Sequence, residues 1–92
     1  MILAELEEVL RSRRTANPED SYTAQLLADT ELAQRKIMEE AFEVCLELGR
    51  STNDPTLTAQ EAADLIYHLM VGLVAVDVPL DDVFAVLEGR RS

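Results

Sequence analysis

A chain of 92 residues carrying a formal net charge of −10 is one domain with a small core, and self-association is a natural way for it to bury more surface. That charge excludes an open nucleic-acid-binding face, which needs clustered Lys and Arg. The apolar stretch 65–76, interrupted by His68, is too short to span a bilayer.

The one cysteine, Cys45, permits no intrachain disulfide; set in an apolar helical stretch, it is expected as a buried free thiol in a reducing compartment. The opening Met-Ile-Leu-Ala-Glu-Leu-Glu-Glu has neither a basic region nor a signal-peptide apolar run, so a soluble cytoplasmic protein is expected. Few aromatics, little alternation and a wealth of Ala, Leu, Glu and Arg favour helix throughout.

In chain order, Leu3, Leu6, Val9 and Leu10 recur at helical spacing among Glu5, Glu7 and Glu8, which predicts an amphipathic helix ending near Arg14. Residues 15–21 read as a loop turning at Asn17-Pro18. Ser21 can cap a short helix over 22–28, and Asp29 or Thr30 a long one running to Leu48, with Gly49 as its stop. In that long helix Ile37, Ala41, Val44 and Leu48 form an apolar stripe beside a polar one of Lys36, Glu40, Glu43 and Glu47.

After a loop around Asn53-Asp54-Pro55, Thr58-x-x-Glu61 reads as a capping box, opening a helix over 59–76. Its core face is expected to be Leu65, Ile66, Leu69, Leu73 and Val76, widened by Met70 and Val74, with Glu61, Asp64 and His68 on another face. Pro79 marks a break, and a last helix covers 81–88 with Val83, Val86 and Leu87. No repeat is visible. The fold class is all-α, a bundle of four to five helices.

Two acidic patterns stand out, Glu39-Glu40-x-x-Glu43 and Glu61-x-x-Asp64. Each puts carboxylates one turn apart on a helix face, and facing helices could gather them into one site. Like charges that close repel unless divalent cations lie between them. Hard carboxylate oxygens suit Mg²⁺ and hence phosphate chemistry. The competing reading is ordinary solvated decoration, because 18 acids in 92 residues make chance clusters common. The position of Glu61 and Asp64 at the edge of the apolar segment Leu65-Ile66-Tyr67-His68-Leu69-Met70 argues for partners or ions.

His68, one turn after Asp64, can hydrogen-bond a ligating carboxylate, touch substrate, or be a satisfied core histidine. Tyr67 and Met38 read as packing. Lys36 can pair with Glu39 or Glu40, or meet a phosphate. Arg13 and Arg14, with the Ser21-Tyr22-Thr23 hydroxyls and a helix N-terminus, could bind ribose phosphates or simply be solvated.

The whole pattern resembles the phosphoribosyl-ATP pyrophosphohydrolases, members of the all-helical, MazG-like nucleotide pyrophosphohydrolase superfamily. The resemblance spans almost the entire chain. It covers 6–14, Pro18-Glu19-Asp20-Ser21-Tyr22-Thr23-x-x-Leu26, Lys36-Ile37-x-Glu39-Glu40-Ala41-x-Glu43-Val44, Glu61-Ala62-Ala63-Asp64-Leu65-Ile66-Tyr67-His68-Leu69, and Leu80-Asp81-Asp82-Val83 with Leu87 and Arg90. The acidic patterns specify the superfamily; the Ser-Tyr-Thr and Ala-Asp-Leu-Ile-Tyr-His segments narrow it to this family.

The resemblance implies a MazG-like bundle and Mg²⁺-dependent hydrolysis of phosphoribosyl-ATP to phosphoribosyl-AMP and pyrophosphate, the second step of histidine biosynthesis. Glu40, Glu43, Glu61 and Asp64 would be metal ligands. Glu39 would support the cluster or help activate water. Lys36 and Arg13–Arg14 would face substrate phosphates, with Tyr22 and His68 at the substrate site. It also implies a homodimer or larger helical assembly and raises association with phosphoribosyl-AMP cyclohydrolase. Met38 and Thr30 depart from the small residues usual in the family, and the connection over 50–57 is less typical. The rivals are a pyrophosphohydrolase of another nucleotide and a catalytically silent helical interaction protein.

Overall fold

Five α-helices account for most of the 91 residues, 1–91, described by the computed structural model. Helix α1 is Ile2–Ser12, α2 Tyr22–Ala28, α3 Thr30–Leu48, α4 Pro55–Ala75 and α5 Leu80–Arg90. A 3-10 turn, Arg13–Thr15, extends α1, so the expected single helix to Arg14 changes pitch at its end. Leu3, Leu6 and Leu10 of α1 face the core, whereas Val9 points outward.

The caps explain the helix limits. The Asn17 side chain accepts from the Glu19 amide at 2.9 Å, holding the turn before α2. Ser21 accepts from the Ala24 amide at 3.1 Å and starts α2. Asp29 accepts from the Leu32 amide at 3.1 Å and starts α3. Gly49 ends α3 in right-handed geometry, with φ −84°.

Helix α4 begins earlier than the sequence suggested. Asp54, not Thr58, is its N-cap, accepting from the amides of Thr56 at 3.1 Å and Leu57 at 3.2 Å, with Pro55 opening the first turn. The Thr58 hydroxyl instead receives Asn53 Nδ2 at 2.8 Å, and the same amide group reaches the Glu47 carbonyl at 3.1 Å. The capping box is therefore absent. Glu61 lies in the second turn of α4, and its carboxylate is free of any capping duty.

Helices α3 and α4 form an antiparallel hairpin. At Gly72 a Cβ would stand 3.2 Å from Ile37 Cδ1, so the missing side chain lets the two helices approach closely. On the opposite side of α4, Met70, Val71 and Val74 join Leu10, Leu26 and Leu80 in the core, bordered by Leu3, Leu6, Leu27, Leu32, Tyr67 and Phe84.

This corrects the expected core face of α4. Leu65 and Leu73 are half-buried, whereas Ile66, Leu69 and Val76 are exposed. A helix apolar on nearly every side leaves periodicity unable to say which face α1 and α2 will cover. Cys45 is likewise exposed, not buried.

The Cα radius of gyration is 14.6 Å, against about 12 Å for a compact domain of this length. Accessible surface is 6420 Å², about 1,100 Å² above that of a compact monomer of this mass. Much of the excess is apolar: Met38, Phe42 and Leu46 on α3, and Ile66, Leu69 and Val76 on α4, are all exposed. Among the described residues, no helix is long and apolar enough to cross a membrane.

Candidate active site

Antiparallel packing of α3 on α4 sets Glu40 and Glu43 opposite Glu61. One carboxylate oxygen from each lies within 4.8 Å of the other two. Glu40 is only 8% exposed, and Glu61 is half-buried. Glu40 Oε2 and Glu61 Oε2 are both buried with no hydrogen-bond partner. Two orphaned carboxylate oxygens in one small space are costly, because burial strips hydration from a charge and nothing replaces it.

The acid strengths register that cost. Burial, foremost, raises the pKa of Glu40 above the ordinary carboxylate range; the neighbouring Glu43 carboxylate and the charge of Asp64 add to the effect, while His68 opposes it. Glu61 is raised first by the close Glu43 carboxylate, then by burial and the charges of Asp64 and Glu40. Like charges held together in this way favour either a shared proton or a cation. Three hard oxygen donors fit a divalent ion such as Mg²⁺, which commonly keeps part of its water shell and takes few protein carboxylates.

The other sequence-predicted residues divide into two groups. Asp64 is exposed and contributes to the field on Glu40 and Glu61, but it lies outside the three-carboxylate group. Glu39 turns to Lys36, whose Nζ is 3.1 Å from Glu39 Oε2. That contact, with the charge of Glu39, raises the Lys36 pKa, so this side chain is a firm cation at the edge of the site.

His68 is buried, and both ring nitrogens are engaged. Nδ1 lies 2.8 Å from the Asp64 carbonyl and Nε2 3.0 Å from the Tyr22 hydroxyl. In the neutral ring Nδ1–H donates to the carbonyl and Nε2 accepts from tyrosine. Neither nitrogen is free in this arrangement to meet a ligand.

Arg13 and Arg14 are not brought to the acids within one chain. Arg14 Nη2 donates to the Val74 carbonyl at 2.8 Å and to Asp77 Oδ1 at 2.6 Å. The rise along α4 from Glu61 to Val74 is about 20 Å at roughly 1.5 Å per residue. Arg13 reaches Ser12 Oγ at 3.4 Å.

The Ser21-Tyr22-Thr23 hydroxyls are also committed within the fold. Ser21 caps α2, Tyr22 meets His68, and Thr23 Oγ1 bonds the Tyr67 hydroxyl. The Thr23–Tyr67 contact was not foreseen, because Tyr67 reads as simple packing in an apolar run. Glu47, expected on a polar stripe, is buried and bonded to Arg50 Nε at 2.8 Å; the Glu47-x-x-Arg50 spacing was its readable signal. Met38, which reads as packing in the sequence and departs from the family's small residue, is 67% exposed.

Comparison with known proteins agrees with this architecture. A family model described as phosphoribosyl-ATP pyrophosphohydrolase matches residues 3–91. The phosphoribosyl-ATP pyrophosphatase of Agrobacterium fabrum is 44% identical, over 98% of this chain and 83% of its own length. That of Cereibacter sphaeroides is 44% identical, over 99% of this chain and 87% of its own, and that of Roseobacter denitrificans 45%, over 100% and 87%. With a match this complete and the acidic hairpin at its centre, the chain belongs to the phosphoribosyl-ATP pyrophosphohydrolase family.

Proposed function

We propose that the Glu40–Glu43–Glu61 group is the catalytic centre for hydrolysis of phosphoribosyl-ATP and that it works with Mg²⁺. The enzyme is a phosphoribosyl-ATP pyrophosphohydrolase of histidine biosynthesis, by its family. Water attacks the α–β phosphate linkage, the bridging P–O bond breaks, and phosphoribosyl-AMP and pyrophosphate leave. The observation carrying the site assignment is the pair of orphaned, buried oxygens on Glu40 and Glu61 beside Glu43.

Glu40, Glu43 and Glu61 would hold the ion, with Asp64 completing the acidic rim. Bound there, Mg²⁺ would neutralise polyphosphate charge and polarise the phosphoryl oxygens. Lys36, tethered by Glu39, offers a cation to the leaving pyrophosphate. Glu39, bonded to Lys36, would support the cluster by holding that cation beside it. With a chain charge of −10, the substrate polyphosphate is repelled everywhere except where a cation offsets the acids.

The active form is a homodimer in this reading, with a second copy covering the exposed apolar faces of α3 and α4. The excess surface is of the size that one partner contributes to an obligate interface, on the order of 1,000 Å² or more. The functional experiment is pyrophosphate release from phosphoribosyl-ATP with and without Mg²⁺, beside ATP and dUTP. Metal-dependent release from phosphoribosyl-ATP alone supports the reading, and equal release from all three nucleotides overturns its specificity.

A further inference from the structure

Tyr22 stands apart from the rest of the site because it is a neutral aromatic ring at the edge of an acidic cluster. It is one of only two tyrosines and two phenylalanines in the chain. The residue is 48% exposed, yet its hydroxyl is fixed at 3.0 Å by the buried His68. His68 is itself fixed by the Asp64 carbonyl at 2.8 Å and by an edge contact with Tyr67, ring centroids 4.9 Å apart at 86°. Thr23 and Tyr67 clamp the same two helices one residue along. His68 meets Tyr22 edge-on as well, at 6.0 Å and 76°, so it is not a stacked neighbour. The result is an exposed aromatic surface held in one orientation, which is what a stacking platform needs if it is to bind without a large ordering cost.

A π face favours a cationic ring over a neutral one of the same shape, and Tyr22 is tied to the acidic rim through His68, whose Nδ1 lies 2.8 Å from the Asp64 carbonyl.

The substrate of this family differs from ATP in just that respect. Attachment of ribose phosphate at N1 turns the neutral adenine into an amidinium that is cationic at neutral pH. We propose that Tyr22, positioned by His68, is the residue that distinguishes the N1-ribosylated, cationic adenine of the substrate from the neutral adenine of ATP. This rests on the functional reading above and deepens it. An enzyme that cleaves α–β anhydrides in a cell rich in ATP needs such a device, and the metal-binding carboxylates cannot provide it, since both nucleotides present the same triphosphate.

The probe is 1-methyl-ATP, which carries the charged base without the added ribose phosphate. Calorimetric binding with Mg²⁺ present should show 1-methyl-ATP bound about tenfold more tightly than ATP by the full chain. Tyr22→Leu should bring that ratio close to one while leaving inorganic tripolyphosphate affinity unchanged, and Tyr22→Phe, which keeps the ring, should retain most of the ratio. His68→Gln should fall between them. A wild-type ratio of one, or a ratio that survives Tyr22→Leu in a variant still binding tripolyphosphate, overturns the proposal. Failure of the functional reading shows separately, as absence of pyrophosphate release from phosphoribosyl-ATP by the wild-type protein.

Discussion

The two ends of α4 solve opposite problems. Near its N-terminus, Glu61 joins Glu40 and Glu43 in a knot of like charge with two carboxylate oxygens left unpartnered. Near its C-terminus the polar groups are matched across the fold. Arg14 binds the Val74 carbonyl and Asp77, and Glu7 Oε2 receives the Leu80 amide at 2.7 Å, capping α5 from a distant helix. Asp77 takes the left-handed position, φ 59°, that ends α4, with the Val78 amide bonded to the Leu73 carbonyl at 2.9 Å. Aspartate tolerates that conformation less well than glycine, but its carboxylate holds Arg14. One end is arranged for stability; the other carries a local instability that a ligand can relieve.

Mutations should therefore have opposite signatures at the two ends. The largest effect is expected for Glu61→Gln or Glu40→Gln: kcat/KM should fall on the order of a hundredfold or more, while the metal-free protein becomes no less stable in a thermal melt. At the other end, Arg14→Met should cost about 2 kcal/mol of stability, from loss of charge-assisted bonds, with turnover per folded molecule retained. A denaturant titration beside a kinetic assay checks both halves. Large loss of turnover in folded Arg14→Met would show that the arginine serves the substrate after all.

The pH dependence separates the ends further. Glu40 and Glu61 have folded pKa values above their unfolded ones, so their protonated forms favour the fold. Their stabilising contribution is complete below the unfolded carboxylate value, near about 4.3 for Glu, and is lost as pH rises through the higher folded values. Compared with Glu40→Gln, the metal-free wild type should lose melting temperature as pH rises above the ordinary carboxylate range. Saturating Mg²⁺ should flatten that difference. A smaller effect is expected at the start of α4. Asp54→Ala should cost about 1 kcal/mol and Thr58→Ala less, which a chemical melt resolves.

Helix number, the limits of α2 and the end of α3 were legible because Ser21, Asp29 and Gly49 are strong local signals. The start of α4 was misread because Asp54-Pro55 and Thr58-x-x-Glu61 both resemble helix openings, and only the partners of Thr58 decide between them. The two acidic patterns were legible from spacing, but spacing alone did not separate Glu40, Glu43 and Glu61, which the structure groups, from Glu39 and Asp64 or from solvated decoration. The Lys36–Glu39 pair was one of the two that helical spacing offered, whereas the turn of Arg14 to Asp77, far along the chain, is a contact that periodicity does not encode. The faces of α4 and the exposure of Cys45 were hidden for a related reason. α3 and α4 each carry apolar residues on more than one face, and nothing in a single chain's pattern separates a core face from one that awaits a partner.

The central claim is that Glu40, Glu43 and Glu61 hold a divalent cation. Mn²⁺ titration of the metal-free protein, followed by electron paramagnetic resonance with Mg²⁺ as competitor, tests it most directly. The expected result is a Mg²⁺-displaceable site in the wild type that weakens sharply in Glu40→Gln and in Glu61→Gln. Unaltered Mn²⁺ binding in both folded variants would contradict the assignment.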